Sequence, residues 1–369
     1  MAKTTYVDWD LVHNFIIDAL EGYGVPREDG KIYADVLTDA DHKGIESHGM
    51  NRLKPIYIDR IVAGIQEPVT KIDILKETDA TAVLDANNGM GMVAAHKAME
   101  MAIEKARKVG IAMVAVKNST HYGTAGYWTD MAAKQGLVGM SGTNARPSIA
   151  PTFGVQNKLG TNPLTVSAPT GEDFPFMFDA ATSTIQRGKI EYWDRIGQDT
   201  PSGMVVGHDG KPKTDSAQIL KDLVAGKAAL APLGGIGEEF AGYKGYGFAT
   251  IVELFSAGFS GADYLDQLSG VAEDGSKRPI LLGHWFIVID PEKFMGLDVF
   301  EKQAGGIVKE LRESTKAPGE DRIYTAGEKE WLIWLDRKEK GFPMNEALQK
   351  EVIGLRDELK LDYKFPFED

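Results

Sequence analysis

The chain has 369 residues and no cysteine, and its 41 Lys and Arg residues against 54 Asp and Glu residues give a formal charge of −13. The lack of cysteine excludes a disulfide scaffold and any thiolate metal or nucleophile site. An acidic chain without a basic cluster repels phosphate backbones, so we expect no nucleic-acid partner. No apolar run approaches the ~18 residues of a membrane helix and the start lacks a signal-peptide pattern, so we expect a cytoplasmic protein with no membrane partner.

The start of the chain is predicted to be helical, because its apolar residues recur at helical spacing. The first stripe comprises Leu11, Val12, Phe15, Ile16, Ala19 and Leu20. A second helix is predicted to begin at Pro26, whose ring suits the first helical turn. A third is predicted over residues 49–63, before the breaker Gly64.

From residue 81 the pattern changes to alternating strands and helices, which predicts an α/β domain. Strands are expected over 81–85, 111–117 and 137–140, with helices over 93–109 and 125–135 between them. Residues 141–163 are rich in Gly and Pro and predict a long loop, which in compact domains is usually functional. Further strands are expected over 174–179 and 284–290, a helix following the Gly-rich stretch 234–247, and helices after about 297.

A dinucleotide-binding fingerprint is suggested by Gly89-Met90-Gly91-Met92-Val93-Ala94, between a predicted strand and a helix. The acidic residue that should bind the ribose about 20 positions later is missing, because that strand ends at Val116-Lys117. The alternative interpretation is a tight turn with close helix packing.

The segment 46–52 contains a candidate anion site. Ser47 is interpreted as the N-cap of the third helix, so that the following amides attract an anion. Arg52 lies four residues after His48 and offers a bidentate fork to a carboxylate. The alternative is a capped surface helix. A metal site could use Asp41, His42, Glu46 and His48, but the histidine spacing fits no known metal motif, so we expect no metal.

A second candidate site follows the strand at 111–117, where Asn118-Ser119-Thr120-His121-Tyr122-Gly123 opens a helix. Ligands bind at strand ends of α/β sheets, and a histidine there can act as a general acid. The alternative is a turn whose histidine satisfies a backbone carbonyl. Tight turns recur at 160–163, at 178–189 and at 242–247. Each carries hydroxyl, amide or ammonium groups, which are the groups that bind phosphate in such turns.

Together these segments resemble the malate/L-lactate dehydrogenase family, which also holds ureidoglycolate, sulfolactate and diketogulonate dehydrogenases or reductases and is distinct from the Rossmann malate and lactate dehydrogenases. The resemblance covers nearly the whole chain. The matching blocks are Ser47-His48-Gly49 with Arg52, His121-Tyr122-Gly123, Gly160-Thr161-Asn162-Pro163, Asp179-Ala180-Ala181-Thr182-Ser183, Gly188-Lys189 and Tyr243-Lys244-Gly245-Tyr246-Gly247.

The resemblance implies a mixed α/β fold with a family-specific, non-Rossmann nicotinamide-binding domain at 76–290. A mostly helical domain at 1–75 would be completed by 291–369. It also implies a homodimer that transfers hydride between NAD, or alternatively NADP, and a small 2-oxo acid such as oxaloacetate or pyruvate. His121 would be the acid/base, although His48 stays open for that role, with Ser47, His48 and Arg52 around the substrate.

The cofactor contacts implied by the resemblance are His121, Tyr122, Gly123, Thr124, Ala125, Asn144, Asp179, Ala180, Ala181 and Lys244. Three positions depart from the family pattern: Tyr122 replaces the common Phe, Ala180 a frequent Met or Phe, and Tyr243 a frequent His. Lys189 adds a positive charge that would suit a second substrate carboxylate and so favour malate over lactate.

Two alternatives differ in activity. One is a protein that binds nicotinamide or a small anion without turnover, against which the presence of both His48 and His121 argues. The other is a reductase of cyclic imines, in whose relatives the position of Lys189 is often acidic.

Overall fold

The structure is a computed structural model that describes residues 4–368. Its first elements are β1 (Thr4–Val7), α1 (Trp9–Gly22), α2 (Arg27–His42) and, after several short turns, α3 (Asp59–Val62). Both predicted amphipathic helices are confirmed, and the apolar stripe of α1 is buried. Helix α2 begins one residue later than predicted, because Pro26 occupies the capping position.

The prediction of one continuous third helix is wrong. The chain instead forms 3₁₀ turns over Glu46–His48 and Met50–Arg52, then a π-helical turn over Leu53–Ile58 that leads into α3. Gly49 is extended between the turns, with φ −86° and ψ −153°, and Pro55 lacks the N–H that a regular helix uses. Ser47 therefore lies inside a 3₁₀ turn and caps no α-helix.

The middle of the chain builds a seven-stranded sheet and the helices that cover it. The elements are β2 (Asp73–Glu77), β3 (Thr81–Asp85), α4 (Gly91–Val109), β4 (Ile111–Ser119), α5 (Ala125–Ala133), β5 (Val138–Thr143), β6 (Leu164–Ala168), β7 (Phe176–Ala180), α6 (Arg187–Arg195), β8 (Val205–Gly207), α7 (Ser216–Val224), β9 (Ala228–Leu230), α8 (Gly242–Glu253) with a π-helical turn Leu254–Gly258, a 3₁₀ turn Leu265–Leu268, and β10 (Leu282–Ile289).

The strand order is β2-β3-β4-β10-β5-β6-β7. Only β3 and β4 pair in parallel, and β10 lies antiparallel between β4 and β5. The predicted strand–helix rhythm is thus present, but β4 and β5 are not neighbours. Strand β10 begins more than 130 residues after the end of β5. A local sequence pattern cannot indicate that strands so far apart in the chain will pair.

One hydrophobic core joins α1 and α2 to α4, α5 and the sheet. Alanines of α4, among them Ala94, Ala98 and Ala102, are fully buried and let the helix approach β4 closely. A smaller core lies under β8, β9, α6 and α7, a region where the sequence predicted no regular elements.

The tail forms a 3₁₀ turn Pro291–Lys293, α9 (Leu297–Glu313), α10 (Glu328–Lys340), β11 (Phe342–Asn345) and α11 (Glu346–Leu359). Strand β1 pairs antiparallel with β11, so a segment near the start of the described chain packs beside one near its end. The domain boundaries at 75 and 290 stay a prediction. Within residues 4–368, no helix is both long and apolar enough to span a membrane.

Candidate functional site

A cleft of about 520 Å³ opens between the turn after β4, the end of β7 and a segment of the tail. Its volume lies in the range of small-molecule sites. The lining residues are Ile45, Ser47, His48, Gly123, Thr124, Ala125, Thr161, Pro163, Met177, Asp179, Ala181, Gln186, Tyr324, Thr325, Ala326, Gly327, Lys329 and Glu330.

Seven residues predicted from the sequence line this cleft: Ser47, His48, Gly123, Thr124, Ala125, Asp179 and Ala181. Two more predicted residues, His121 and Arg52, contact residues of this lining. The ring of His121 stacks on that of His48 with 5.8 Å between centroids, and Arg52 Nε donates to Ser47 O at 2.5 Å. Segments far apart in sequence thus meet at this cleft.

His121 is held by two donors at one nitrogen. Tyr57 Oη lies 2.8 Å from His121 Nδ1, and the Gly123 N–H donates to the same atom at 3.2 Å. Since an amide N–H only donates, Nδ1 is unprotonated and the neutral ring carries its proton on Nε2. Burial, together with the nearby His48 and Arg60, lowers the pKa of His121 well below its usual 6.5.

His48 lines the cleft. Its Nδ1 lies 2.9 Å from Ser47 Oγ. Burial and the charge of Arg52 lower the pKa of His48 to about 4. Because both histidines are neutral near pH 7, Arg52 supplies the permanent positive charge at this end of the cleft.

The segment that carries His48 rests on a buried carboxyl group at the end of α2. Asp41 Oδ2 accepts the Met50 N–H at 2.7 Å, and a Cβ on Gly49 would lie 2.2 Å from both carboxyl oxygens. Only glycine permits this approach. Burial raises the pKa of Asp41 to about 8. Of the four residues considered as possible metal ligands, Asp41 bonds to Met50 and Glu46 pairs with Arg337, and no cluster of three or more metal-ligating side chains occurs within residues 4–368.

Asp179 provides a carboxylate to the cleft lining. Its Oδ2 accepts the Gly126 N–H at 2.7 Å. Asp179 is exposed to solvent in the open cleft, and the protein atoms that surround it there raise its pKa to about 6. The remaining predicted contacts lie outside the lining set: Tyr122, Asn144, Ala180, Lys189 and Lys244.

Tyr122 and Asn144 are structural in position. Tyr122 is buried, and its ring stacks on His284 with 4.5 Å between centroids. Asn144 is also buried, and its Oδ1 accepts the Gly283 N–H at 2.8 Å. Both side chains therefore support the strands and loops behind the cleft.

Lys189 and Lys244 are exposed on α6 and α8. The Lys189 ammonium lies 4.8 Å from the centroid of the Tyr192 ring, a cation–π contact within its own helix. Ala180 is half-buried at the end of β7. In this structure neither Lys189 nor Lys244 is part of the cleft lining.

The dinucleotide-fingerprint interpretation is wrong. The Gly91 N–H donates to Thr120 Oγ1 at 2.9 Å and the Met92 N–H to Tyr33 Oη at 3.4 Å, so the first amides of α4 already have partners. A Cβ on Gly91 would lie 2.3 Å from Thr120 O. Gly91 thus serves the close packing of α4, as the alternative interpretation held.

Sequence reasoning missed Tyr57 and the tail segment at 324–330. Tyr57 looked like one more apolar residue of a helical stripe, and it is fully buried. The tail segment carries no motif, because it reaches the cleft only through the docking of α10 beside β7, where the Met177 N–H donates to Ala326 O at 3.1 Å.

The family model for malate/L-lactate dehydrogenase matches residues 7–353. The chain belongs to this family. It is similar to the malate dehydrogenase of Pyrococcus horikoshii, with 39% identity over 93% of this chain and 92% of the relative. It is also 39% identical to the L-sulfolactate dehydrogenase of Methanocaldococcus jannaschii, over 94% of this chain and 95% of the relative.

The solved structure of malate dehydrogenase from Entamoeba histolytica resembles the fold with a TM-score of 0.94, at 40% identity, over 98% of this chain and all of that one. The resemblance drawn from the motifs and the mixed α/β fold are confirmed. As a member of the malate/L-lactate dehydrogenase family, the chain is a hydroxy-acid dehydrogenase that uses a nicotinamide cofactor and a small hydroxy- or oxo-acid substrate.

The cleft fits such a cofactor chemically. Thr124 Oγ1 is buried at the cleft and has no hydrogen-bond partner among the described residues. Asp179 offers a carboxylate that accepts a single hydrogen bond from the residues that the structure describes. A free hydroxyl and a carboxylate are the partners that amide and ribose hydroxyl groups require. Thr124 and Asp179 would therefore hold the cofactor.

Proposed function

We propose that this malate/L-lactate dehydrogenase family member interconverts malate and oxaloacetate with NAD, and that His121 is its acid/base residue. The observation that carries the proposal is the double fixation of His121 Nδ1 by Tyr57 and Gly123, beside Arg52 and the ring of His48. Relatives named for malate and sulfolactate, each 39% identical, support a substrate of this kind.

When bound, the reduced nicotinamide supplies a hydride to the carbonyl carbon. Negative charge then develops on the carbonyl oxygen, and His121 gives it the Nε2 proton. For this step the ring must be doubly protonated, so the Tyr57 hydroxyl has to give up the hydrogen bond that it donates to Nδ1 and turn to accept the Nδ1 proton. After the transfer the neutral ring keeps the Nδ1 proton, and its unprotonated Nε2 takes up the hydroxyl proton in the reverse direction.

Arg52 would bind the substrate carboxylate, with Ser47 and His48 beside it. A carboxylate held there adds negative charge next to His121 and favours its protonated form, which offsets the lowering of its pKa by burial. Substrate binding and protonation of the acid are therefore coupled. Binding also fixes which face of the carbonyl receives the hydride.

NAD is proposed over NADP because the cleft wall is acidic. Asp179 and Glu330 both line it, and the charge of Glu330 is felt by Asp179. A cofactor with an additional phosphate would add negative charge to a wall that already carries two carboxylates. Lys329 is one opposing charge in the lining.

A homodimer in the cytoplasm is also proposed. Phe248, Ile251 and Leu254 leave 45%, 44% and 61% of their surfaces exposed along α8 and the turn after it. An apolar groove of about 750 Å³ runs beside them. An exposed apolar patch on a helix often marks a protein–protein interface, so a second copy would cover this part of α8. The cysteine-free composition suits a reducing compartment.

The decisive experiment is a panel of oxaloacetate, pyruvate, sulfopyruvate and a cyclic imino acid, each assayed with NADH and NADPH by loss of nicotinamide absorbance. We expect turnover of oxaloacetate with NADH, and its loss in His121→Ala. Binding of cofactor without turnover of any compound would establish the non-enzymatic alternative. Turnover of the imine alone would establish the reductase alternative.

A further inference from the structure

One wall of the cleft is a continuous stretch of the tail, and a single residue of this stretch does not line the cleft. From Tyr324 to Glu330 every residue belongs to the lining except Glu328. Glu328 is instead buried, with 1% of its surface exposed. A glutamate is almost never fully buried unless it is paired, so its partners show what holds the wall from beneath.

The Glu328 carboxylate joins two arginines to the backbone of the wall. Its Oε1 pairs with Arg322 Nη2 and lies 3.8 Å from Arg312 Nη1. Its Oε2 accepts the Thr325 N–H at 3.1 Å, and the Glu328 N–H donates to Thr325 O at 3.1 Å. These reciprocal bonds close the turn whose outer side lines the cleft.

The same network ties the wall to the large sheet. Arg312 also pairs with Glu172, which lies between β6 and β7. The Met177 N–H of β7 donates to Ala326 O at 3.1 Å. Gly327 has a φ of 90°, and a Cβ there would lie 3.0 Å from Met177 Cβ. The wall therefore packs against β7 as closely as a glycine permits.

A second connection runs from Glu328 to an aromatic ring of the lining. Tyr324 lines the cleft and leaves 43% of its surface exposed. Arg322 Cζ lies 5.2 Å and Lys329 Nζ 4.8 Å from the centroid of its ring, which are cation–π contacts. Because Arg322 is paired with Glu328, a change at Glu328 reaches the lining through this ring as well as through the Thr325 backbone.

We propose that Glu328 is a positioning residue for the nicotinamide cofactor: it acts through the wall, by holding residues 324–327 in the shape that receives the cofactor. The inference rests on the proposed function, in which this cleft binds the cofactor. A wall that is fixed before binding loses little conformational entropy when the cofactor arrives, and this saving increases the affinity. His121 and Arg52 are held by other residues, so the chemical step should depend little on Glu328.

Glu328→Gln is the sharpest test, because it keeps the size of the side chain and removes its charge. The new amide nitrogen must face either the two guanidinium groups or the Thr325 N–H, so two donors oppose each other in both orientations. We expect the Kd for NADH, or for NADPH if the wild type prefers it, to rise about 10-fold to 100-fold in a fluorescence titration, as for the loss of a hydrogen bond to a charged group. The kcat at saturating cofactor and the KM for oxaloacetate should stay within about threefold.

Glu368→Gln is the matched control. Glu368 pairs with Arg356 and accepts the Phe365 N–H at 2.8 Å, so it repeats both the arginine pair and the bond to the residue three positions earlier. It lies outside the cleft lining, and its Kd for the cofactor should stay within about twofold of the wild type. Arg322→Gln should raise the Kd by a smaller factor, because a second arginine still faces the carboxylate.

An unchanged cofactor Kd in Glu328→Gln would overturn the inference. So would a fall in kcat without a change in Kd, or an equal rise of Kd in Glu368→Gln. If Glu328→Gln does not fold, Arg322→Gln decides, since Arg322 is exposed: its Kd must rise at least about threefold, and a wild-type Kd would overturn the inference. Wild-type protein that binds neither NADH nor NADPH would instead refute the proposed function.

Discussion

Replacing Tyr57 with Phe tests the geometry at His121 with the smallest possible change. The hydroxyl is one of two donors to His121 Nδ1, at 2.8 Å, and the Gly123 N–H remains as the other. When the Tyr57 hydroxyl is removed, His121 Nδ1 still accepts the Gly123 N–H and so keeps a hydrogen-bond partner. The Tyr57 ring is fully buried, and phenylalanine keeps its shape.

The direction in which the pKa of His121 shifts depends on which protonation state of its ring the Tyr57 hydroxyl stabilises. A donor at Nδ1 favours the neutral ring, so its loss raises the pKa of His121. A hydrogen bond contributes about 0.5–1.5 kcal/mol. At 1.36 kcal/mol per pKa unit, the pKa rises by about 0.4–1.1. His121 acts as the base in malate oxidation, so its protonation lowers the rate as pH falls.

The assay is the pH profile of kcat/KM for malate oxidation, whose acid limb reports the free enzyme. In the wild type this limb should lie below pH 6.5, because the pKa of His121 is lowered well below that value. Tyr57→Phe should move the limb upward. Tyr33→Phe is the matched control, since Tyr33 packs against Tyr57 but bonds to Met92. A limb that stays in place or moves downward in Tyr57→Phe would refute the assignment of the hydroxyl as donor.

Three further predictions concern the same site. His121→Ala should lose about 10²–10⁴ in kcat while cofactor affinity, measured by fluorescence titration, is retained; near-normal kcat would move the acid role to His48. Arg52→Lys should lower kcat/KM almost as much as Arg52→Ala, because lysine cannot pair both carboxylate oxygens, and two variants within about twofold of the wild type would contradict this. The pKa of Asp41 is raised to about 8 in the folded protein. Between about pH 4 and pH 8 the folded state therefore holds a proton on Asp41 that the unfolded state has released, so the free energy of unfolding should decline over this range as pH rises. Thermal unfolding of Asp41→Asn should lose this decline; an identical pH dependence in variant and wild type would contradict it.

The sequence alone determined the elements whose signal is local. Helices α1 and α2 bury stripes that a helical repeat reveals, and α4 ends at Gly110, whose φ of 95° suits glycine. The blocks around His48, His121 and Asp179 were recognisable because binding chemistry concentrates unusual residue types in short turns. Those three blocks meet at one cleft in the structure.

Tertiary structure decided everything that depends on a partner distant in sequence. Strand β10 enters between β4 and β5 because hydrogen bonding and burial select its place, and neither is visible along the chain. Gly49 breaks the predicted third helix because the Asp41 carboxyl group occupies the space of a Cβ. The role of Tyr57 is set in the same way. A buried tyrosine in an apolar stripe is indistinguishable from core until the fold brings His121 Nδ1 to its hydroxyl, because a hydrogen bond depends on distance in space and not on separation in sequence.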